Sequence, residues 1–253
     1  MTSDDRTTIL ITGASSGLGA EMARQFAARG NDLALCARRT DRLESLREEI
    51  LAANPDRRVE VRALDVNDHD QVFEVFRAFA SDFGTIDRVV INAGLGKGAP
   101  LGTGRFDANR DTAMTNFIGA LAQSEAAMEI FRAQGSGHFV MISSMSAMRG
   151  MPKELATYAA TKAGVAHLAE GLRMELLGKP IKVTVIYPGY IASEMNEGIA
   201  GDQPMMTSTE KGVRAIVSAI EKEKASACVP PLPWAPLSVV MKHAPLPVLK
   251  RMM

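Results

Sequence analysis

The segment TGASSGLG, residues 12–19, joins a short apolar run at residues 8–12 to a stretch of helical composition at residues 20–28. Its glycines permit a tight turn and a close approach of the backbone to a pyrophosphate, and the helix start that follows offers unpaired N–H groups. A glycine-rich turn by itself is a weakly specific motif, and the alternative is a plain strand–helix loop. Its position after a first strand and before a helix is the context that the motif requires, so the segment predicts a dinucleotide-binding turn.

Segments typical of strands and of helices alternate along the whole chain. Apolar runs that predict strands lie at residues 8–12, 33–37, 59–66, 88–92, 139–143 and 182–187, and a last strand is expected around Cys228. Segments that predict helices lie at residues 20–28, 41–53, 68–83, 108–133, 156–177 and 210–223. This alternation indicates right-handed βαβ crossovers and a parallel sheet covered on both faces. We therefore expect one domain over residues 1–253, with a three-layer α/β/α Rossmann fold and a doubly wound parallel sheet of about seven strands.

The composition argues against several classes of function. Lys and Arg together number 29, as do Asp and Glu, so the neutral chain has no general attraction to nucleic acid. Two cysteines and four scattered histidines fit neither a disulfide framework nor a metal site, and no metal is expected. The sequence lacks an apolar run of about 18 residues, and its polar start has no signal-type apolar core. These features predict a cytoplasmic protein of enzyme size.

Four further motifs follow the glycine turn in a defined order. They are Asp65 after the third predicted strand, Asn92-Ala93-Gly94 after the fourth, Tyr158-Ala-Ala-Thr-Lys162 in a helix, and Pro188-Gly189 with Ile191 and Ser193 after the sixth. Together with the Gly-x-x-x-Gly-x-Gly spacing of the turn, this ordered set resembles the short-chain dehydrogenase/reductase family over residues 8–225. The resemblance implies an oxidoreductase that transfers hydride between a nicotinamide cofactor and a small-molecule carbonyl or alcohol, working as a homodimer or homotetramer.

The resemblance also assigns the residues that contact this cofactor. They are Gly13, Ser15, Ser16, Gly17, Leu18, Gly19, Asp65, Val66, Asn92, Ala93, Gly94, Tyr158, Lys162, Pro188, Gly189, Ile191 and Ser193. In this assignment Asp65 contacts the adenine, and Lys162 hydrogen-bonds the nicotinamide ribose.

The end of the second predicted strand distinguishes the two nicotinamide cofactors. Ala37 stands where an NAD site usually has an acid for the ribose 2′-hydroxyl, and Arg38 and Arg39 follow it. Guanidinium groups pair well with a phosphate, whereas a carboxylate would repel it. We therefore expect NADP(H) as the cofactor. The alternative is that the two arginines only begin a solvated helix face.

Tyr158 and Lys162 lie four residues apart on a predicted helix and so share one face. A free tyrosine has a pKa of about 10 and is a poor base at neutral pH. A nearby ammonium, or the positive ring of an oxidised nicotinamide, would lower the pKa of Tyr158 toward a useful range for general acid–base catalysis. The alternative is a pair of residues on a solvated helix face.

The family has a serine ahead of the catalytic tyrosine that hydrogen-bonds the substrate oxygen and stabilises its developing charge. The usual distance, thirteen residues before Tyr158, falls here on Met145. Alignment on the strand end and on the glycine that follows selects Ser144 instead. Ser143 and Ser146 stay open as alternatives.

Asn116 lies inside an apolar helical stretch, where an asparagine is unfavourable without partners. The resemblance implies that it distorts the helix and holds a water that links Lys162 to solvent, whereas the alternative is an asparagine satisfied by backbone groups. With Ser144, Tyr158 and Lys162 it completes the expected catalytic set. We expect a carbonyl reductase or alcohol dehydrogenase in which Tyr158 protonates the substrate oxygen; the alternative is a catalytically silent NADP(H)-binding sensor or regulator.

The substrate is expected beyond the carboxyl ends of the strands, at residues 95–104, 145–155 and 190–208. These segments have few charges and contain the apolar residues Leu95, Met145, Met148, Met151, Ile191, Met195, Met205 and Met206. Because methionine suits flexible apolar pockets, we expect a hydrophobic ketone, aldehyde or secondary alcohol. The alternative is that several of these methionines belong to the core.

Residues 230–253 form a tail that contains six of the twelve prolines, together with apolar and basic side chains. Three interpretations stay open for this tail. It could form a subunit contact or a cover over the pocket, it could make a weak contact with a membrane surface, or it could pack as an ordinary part of the domain.

Overall fold

The computed structural model describes residues 7–96, 98–194 and 205–252. Within this part the strands are β1 (Thr8–Thr12), β2 (Asp32–Ala37), β3 (Val59–Ala63), β4 (Arg88–Ile91), β5 (Gly137–Ile142), β6 (Ile181–Pro188) and β7 (Ser226–Val229). The α-helices of the same residues are α1 (Gly17–Ala28), α2 (Thr40–Ala53), α3 (His69–Phe83), α4 (Phe106–Ala113), α5 (Gly119–Gln134), α6 (Leu155–Glu175), α7 (Thr209–Glu221), α8 (Pro231–His243) and α9 (Leu246–Met252). A π-helical turn, Met114–Ile118, joins α4 to α5, and a 3₁₀ turn, Met145–Met148, follows β5.

The strands of the described residues form one parallel sheet in the order β3-β2-β1-β4-β5-β6-β7. The order reverses between β1 and β4, so the crossovers on the two sides of this point cover opposite faces. In such sheets a ligand binds in the crevice beyond the carboxyl ends of the strands, at the reversal. The predicted three-layer Rossmann fold with about seven strands is confirmed.

Both faces of the sheet are covered by helices, and successive residues of a strand point to opposite faces. In β1, Ile9 and Ile11 pack with α1, α2 and α7, whereas Leu10 packs with α3, α5 and α6. All five residues of β1 are buried. This double burial explains why an inner strand such as β1 has a continuous apolar run and does not alternate with charged residues, unlike β3 at the edge of the sheet.

The helix predicted over residues 108–133 is divided in the structure. The π-helical turn separates α4 from α5, and Thr115 and Asn116 within it are buried. Turns of this kind interrupt an α-helix by one residue and occur often at functional sites. β3 also ends earlier than predicted, at Ala63, because the chain leaves the sheet there.

The tail folds into α8 and α9, two helices that the sequence analysis did not predict. The many prolines of the tail argued against helices there. Pro231, however, lies in the first turn of α8, where a missing N–H costs no helical hydrogen bond. Trp234 is only 3% exposed, whereas Val239 and Leu246 are 58% and 66% exposed. The tail therefore packs one side on the domain and leaves another side open. Among the described residues, none of the helices combines the length and the apolar character needed to cross a membrane.

His138, near the start of β5, is a buried histidine held in its neutral form. Its Nδ1 accepts a hydrogen bond from Arg88 Nε at 2.9 Å, so Nε2 carries the proton and donates to Thr184 Oγ1 at 2.8 Å. Burial, and after it the charge of Arg88, lowers the pKa of His138 to about 3. The folded protein thus resists protonation of this ring.

Acid should destabilise the fold through His138. The unfolded chain takes up the proton near the ordinary histidine pKa of about 6.5, but the folded chain does so only near pH 3. The stability contributed by neutral His138 is therefore complete above about pH 6.5 and is lost as the pH falls, by about 2 kcal/mol between pH 7 and pH 5. Urea unfolding at the two pH values measures this loss. His138→Gln keeps one hydrogen-bond acceptor and one donor. Between pH 7 and pH 5 this variant should lose about 2 kcal/mol less stability than the wild type. An equal loss of stability in both proteins would contradict the role assigned to His138.

Candidate active site

A cavity of about 350 Å³ opens at the carboxyl ends of the strands, where the sheet order reverses. The ends of β2, β5 and β6 contribute Ala37, Ile142 and Pro188 to its wall. Most site residues predicted from the sequence line this one cavity: Gly13, Ser15, Ser16, Gly17, Leu18, Arg38, Arg39, Asp65, Val66, Asn92, Ala93, Gly94, Ser144, Tyr158, Lys162, Pro188, Gly189, Ile191 and Ser193. Gly19 and Asn116 do not reach the wall, and each lies against a residue that does.

The glycine turn leads from the end of β1 into α1. Gly17 has a φ of 54°, which a side chain would strain, and a Cβ on Gly19 would lie 2.3 Å from the carbonyl oxygen of Gly13. Ser16 is the N-cap residue of α1, but its side chain makes no capping hydrogen bond. The N–H groups of the first turn therefore lack a side-chain acceptor and face the cavity edge with the positive end of the helix dipole, which suits a pyrophosphate.

Hydrogen bonds at the strand ends brace the turn against β4. Asn92 Nδ2 donates to the carbonyl oxygen of Thr12 at 2.9 Å, and the backbone N–H groups of Asn92 and Ala93 donate to Thr12 Oγ1 at 3.1 Å. Beyond β3, Asp65 Oδ1 accepts a hydrogen bond from the N–H of Asn67 at 3.0 Å. The Asn92-Ala93-Gly94 motif thus connects the end of β4 to the end of β1 and stabilises this part of the cavity wall.

The arginines after β2 face the glycine turn. Arg39 donates from Nη2 to Ser16 Oγ at 2.6 Å and from Nε to Ser15 Oγ at 3.3 Å, and its Nη1 pairs with Glu194 at 3.2 Å. Arg38 lines the same part of the cavity and is exposed. This end of the cavity therefore presents guanidinium and hydroxyl groups, which are the donors that proteins use to bind phosphate.

Among the three candidate serines, Ser144 has its hydroxyl close enough to Tyr158 to act on it, and its effect is to lower the pKa of Tyr158. Ser143 instead donates from Oγ to the carbonyl oxygen of Lys162 at 2.8 Å, deep in the core. Ser146 uses its backbone N–H to donate to Ser144 Oγ at 3.1 Å, which orients that hydroxyl. The geometry thus favours Ser144 as the partner of Tyr158.

Lys162 and Asn116 both approach Gly94 on the side where a Cβ would be. Lys162 Nζ donates to the carbonyl oxygen of Ile142 at 3.0 Å, and a Cβ on Gly94 would lie 3.5 Å from Nζ and 3.1 Å from Asn116 Oδ1. Asn116 accepts from the N–H of Leu95 at 2.7 Å and donates to its carbonyl oxygen at 2.8 Å. Backbone groups therefore satisfy the Asn116 side chain, which was one of the two interpretations of this residue. The π-helical turn around Asn116 is a distortion of the helix, which the resemblance had implied. A water held by Asn116 stays a prediction.

The expected lowering of the Tyr158 pKa by Lys162 is not found, whereas the effect of an oxidised nicotinamide stays a prediction. Burial raises the pKa of Tyr158, and the nearby Ser144 hydroxyl offsets only part of this effect. Lys162 Nζ lies 5.9 Å from the centre of the Tyr158 ring, and burial lowers the pKa of Lys162 to about 8. The charge of Lys162 thus does not outweigh the desolvation of a phenolate in this site. Tyr158 is protonated at neutral pH, which suits a proton donor.

Apolar side chains form part of the cavity wall, but not every side chain that the sequence analysis expected there contributes to it. Its wall includes Leu95, Met145, Met151 and Ile191. The others do not line it: Met148 packs behind Met145, whereas Met205 and Met206 are each 37% exposed and stand outside the wall. Met195 lies outside the described residues. The expectation that Met148, Met205 and Met206 line the pocket is therefore corrected: in this structure they are not part of its wall.

α8 completes the apolar wall with Trp234 and Met241. The indole of Trp234 lies on Gly189, where a Cβ would come within 2.0 Å of the ring, and it meets the Tyr190 ring edge-on with centroids 5.4 Å apart. At the other end of α8, Arg149 Nη1 donates to a backbone carbonyl at 2.9 Å. The tail is thus attached to the domain on both sides of the cavity.

Several lining residues were not singled out by the sequence analysis, among them Thr115, Tyr190 and Glu194, although the last two lie within the segment 190–208 that it assigned to the substrate side. Thr115 precedes Asn116 and Tyr190 follows the Pro188-Gly189 motif, so their positions beside known motifs could have indicated them. Glu194 likewise follows Ser193 of that motif, but its pairing with Arg39 could not be read from the sequence, because the two residues lie 155 positions apart.

Comparison with known proteins agrees with this geometry. The chain matches the family model of short chain dehydrogenases over residues 7–204. It is similar to an uncharacterized oxidoreductase of Mycobacterium tuberculosis (strain CDC 1551 / Oshkosh), with 53% identity over 241 residues and 95% of each chain covered. It is also similar to 11-beta-hydroxysteroid dehydrogenase 1A of Arabidopsis thaliana, with 36% identity over 192 residues, 75% of this chain and 54% of that protein.

Solved structures show the same fold. Levodione reductase superposes with a TM-score of 0.79 and 27% identity, covering 88% of this chain and 94% of that one. A short-chain dehydrogenase/reductase of Burkholderia phymatum, solved in complex with NAD, has a TM-score of 0.84 at 18% identity, covering 100% of this chain and 97% of its own; at this identity the likeness concerns the fold alone. The chain therefore belongs to the short-chain dehydrogenase/reductase family, a family of oxidoreductases that use a nicotinamide cofactor.

Proposed function

We propose that the protein is an NADPH-dependent oxidoreductase of the carbonyl reductase or alcohol dehydrogenase type, acting on an apolar ketone, aldehyde or secondary alcohol. The observation that carries this proposal is a single cavity shared by the glycine turn, the group of Ser144, Tyr158 and Lys162, and an apolar wall. Hydride transfer needs cofactor, proton donor and substrate held in one geometry, and this cavity offers a place for all three.

The side chains around Tyr158 act on the substrate oxygen, while a bound nicotinamide would supply or accept the hydride. Tyr158 is protonated at neutral pH because burial raises its pKa, so it donates its proton as negative charge develops on a carbonyl oxygen. The Ser144 hydroxyl lies close to Tyr158 and would hold the same oxygen, which would stabilise that charge.

Lys162 has a positioning and electrostatic role in this proposal. One of its three N–H donors is held by the carbonyl oxygen of Ile142, and the others are free to reach Tyr158 and a nicotinamide ribose. Its pKa of about 8 keeps most of the ammonium charged at neutral pH. Asn116 supports this arrangement by tying down Leu95 next to Gly94, over which Lys162 Nζ lies.

The proposed preference for NADP(H) rests on the donors after β2. Arg38 and Arg39, with the hydroxyls of Ser15 and Ser16, surround the place where the ribose 2′-phosphate would lie. Ala37 leaves this end of the cavity without the carboxylate that an NAD site usually has. The uncapped start of α1 would hold the pyrophosphate beside it.

The proposed substrate class rests on the apolar wall. Met145, Met151, Trp234 and Met241 face the space beyond Tyr158, so a polar sugar would lose hydrogen bonds to water there without replacement. One relative is by name a hydroxysteroid dehydrogenase, in keeping with an apolar carbonyl. The position of α8 supports a pocket cover as one role of the tail. A homodimer or homotetramer, and a weak contact of the tail with a membrane surface, stay predictions.

The test is NADPH oxidation at 340 nm against carbonyls graded from small and polar to large, apolar and steroid-like, with NADH in parallel. Turnover of the apolar members with NADPH supports cofactor, site and pocket together. Equal turnover of small polar and large apolar carbonyls would contradict the substrate class. Tight NADPH binding without turnover of any member would favour the silent sensor.

Ser144→Ala should lower kcat about 100-fold and leave the dissociation constant for NADPH within about twofold, because the lost hydroxyl acts on the substrate oxygen. Ser146→Ala is the matched control, since Ser146 also lines the cavity but contacts Ser144 through its backbone. We expect it to keep near-normal kcat. Similar losses in the two variants would contradict the assignment of Ser144.

A further inference from the structure

We propose that Glu194 competes with the 2′-phosphate of the cofactor and, together with Arg42, sets how strongly the protein discriminates NADP(H) from NAD(H). The proposal rests on the NADP(H) preference proposed above and adds two residues that lie outside the sequence motifs. The carboxylate of Glu194 and the 2′-phosphate would use the same guanidinium groups, so binding of one excludes the other.

Glu194 bridges two guanidinium groups with its two carboxylate oxygens. Oε2 accepts from Arg39 Nη1 at 3.2 Å, and Oε1 accepts from Arg42 Nη1 at 2.5 Å. Arg39 is held on its other side by the hydroxyls of Ser15 and Ser16. Carboxylate and phosphate oxygens take the same charge-assisted hydrogen bonds from arginine, so the place that Glu194 occupies is built to hold an oxyanion.

The backbone before Glu194 is fixed against the cofactor end of the cavity. Ile191 pairs with Thr207 in a β-bridge, and the N–H of Ala192 donates to the carbonyl oxygen of Thr207 at 2.9 Å. Ser193 lies beside the glycine turn, since a Cβ on Gly17 would be 3.5 Å from the Cβ of Ser193. The segment that follows β6 therefore delivers the Glu194 carboxylate to the arginines that follow β2.

The ion pairs of Glu194 with Arg39 and Arg42 are weak enough for a phosphate to displace the carboxylate. The two guanidinium groups lower the pKa of Glu194 below its usual range, so the carboxylate is charged at neutral pH. The side chains are nevertheless 43–46% exposed, and exposed ion pairs are individually weak. A 2′-phosphate carries more charge and can replace the carboxylate, but it must first break both pairs. NAD(H) has no group at this place and leaves the bridge intact.

Glu194→Gln should therefore tighten NADPH binding about 3- to 10-fold and change NADH binding less than about twofold. Arg42→Gln should weaken NADPH binding about 3- to 10-fold, again with little effect on NADH. Trp234 is the single tryptophan and lines the cavity, so its fluorescence can report both titrations. Calorimetry with 2′,5′-ADP and 5′-AMP isolates the 2′-phosphate, and the same changes should occur for 2′,5′-ADP alone.

Glu129→Gln is the matched control. Glu129 is an arginine-paired glutamate of similar exposure on α5, outside the cavity wall, and its replacement should alter neither affinity. An unchanged affinity for NADPH in Glu194→Gln or in Arg42→Gln, or equal changes for NADPH and NADH, would overturn the proposal even if the wild type prefers NADPH. A wild type that prefers NADH would be a different failure, because it would overturn the proposed cofactor preference and with it the ground for this inference.

Discussion

Tyr158→Phe is expected to lower kcat for carbonyl reduction about 1000-fold or more, while the dissociation constant for NADPH stays within about twofold. The change removes one hydroxyl, which lies close to Ser144 and is the proton donor in the proposed reaction. The phenyl ring fills almost the same volume, so packing on α6 should be preserved. Stopped-flow or steady-state NADPH oxidation gives kcat, and quenching of Trp234 fluorescence gives the affinity.

Tyr190→Phe is the matched control for this experiment. Tyr190 also lines the cavity, but it packs edge-on against Trp234 and has no role at the reacting oxygen in the proposed mechanism. The kcat of this variant should stay within a few-fold of the wild type, because the phenyl ring fills almost the same volume as the tyrosine ring. A Tyr158→Phe variant that keeps a tenth or more of the wild-type kcat on its best substrate would show that another group supplies the proton.

Ala37→Asp combined with Arg38→Leu is expected to change the ratio of kcat/KM for NADPH over NADH by about 100- to 1000-fold, in favour of NADH. Ala37 is the last residue of β2, lines the cavity and is 7% exposed. A carboxylate at this position could accept a hydrogen bond from the ribose 2′-hydroxyl. The same carboxylate would repel a 2′-phosphate, and the loss of Arg38 removes a charge-assisted partner. Steady-state kinetics with both cofactors measure the ratio.

Ala37→Asn with Arg38→Leu separates the two parts of this expectation. It removes the same guanidinium but introduces no charge, so it should weaken use of NADPH without a matching gain with NADH. If the Asp-containing variant keeps the wild-type ratio, the phosphate is not held at the end of β2, and the proposed NADP(H) preference is wrong.

Much of the fold could be predicted from local sequence because its determinants are local. Buried parallel strands need continuous apolar runs, and residues 8–12 and 139–143 show them plainly. The glycine turn could be located because the chain must turn tightly between β1 and α1. Tyr158 and Lys162 could be paired because four residues make one turn of helix.

Other features depended on contacts between distant segments. The spacing to Tyr158 left three serines open, and only the packing of β5 against α6 turns Ser143 inward to Lys162 and brings Ser144 to Tyr158. The direction of the Tyr158 pKa shift also depended on packing, because burial in the folded site outweighs a lysine that the sequence suggested as the controlling charge.

The sequence by itself determined the order of strands and helices, the glycine turn and the Tyr158–Lys162 pair, since each follows from residues within a few positions of one another. Only the tertiary structure decided that α8 places Trp234 on Gly189 as part of the pocket wall, and that Glu194 meets Arg39 and Arg42. The physical reason is the parallel sheet: its crossovers bring the carboxyl ends of all strands to one edge, so residues more than 150 positions apart share one cavity.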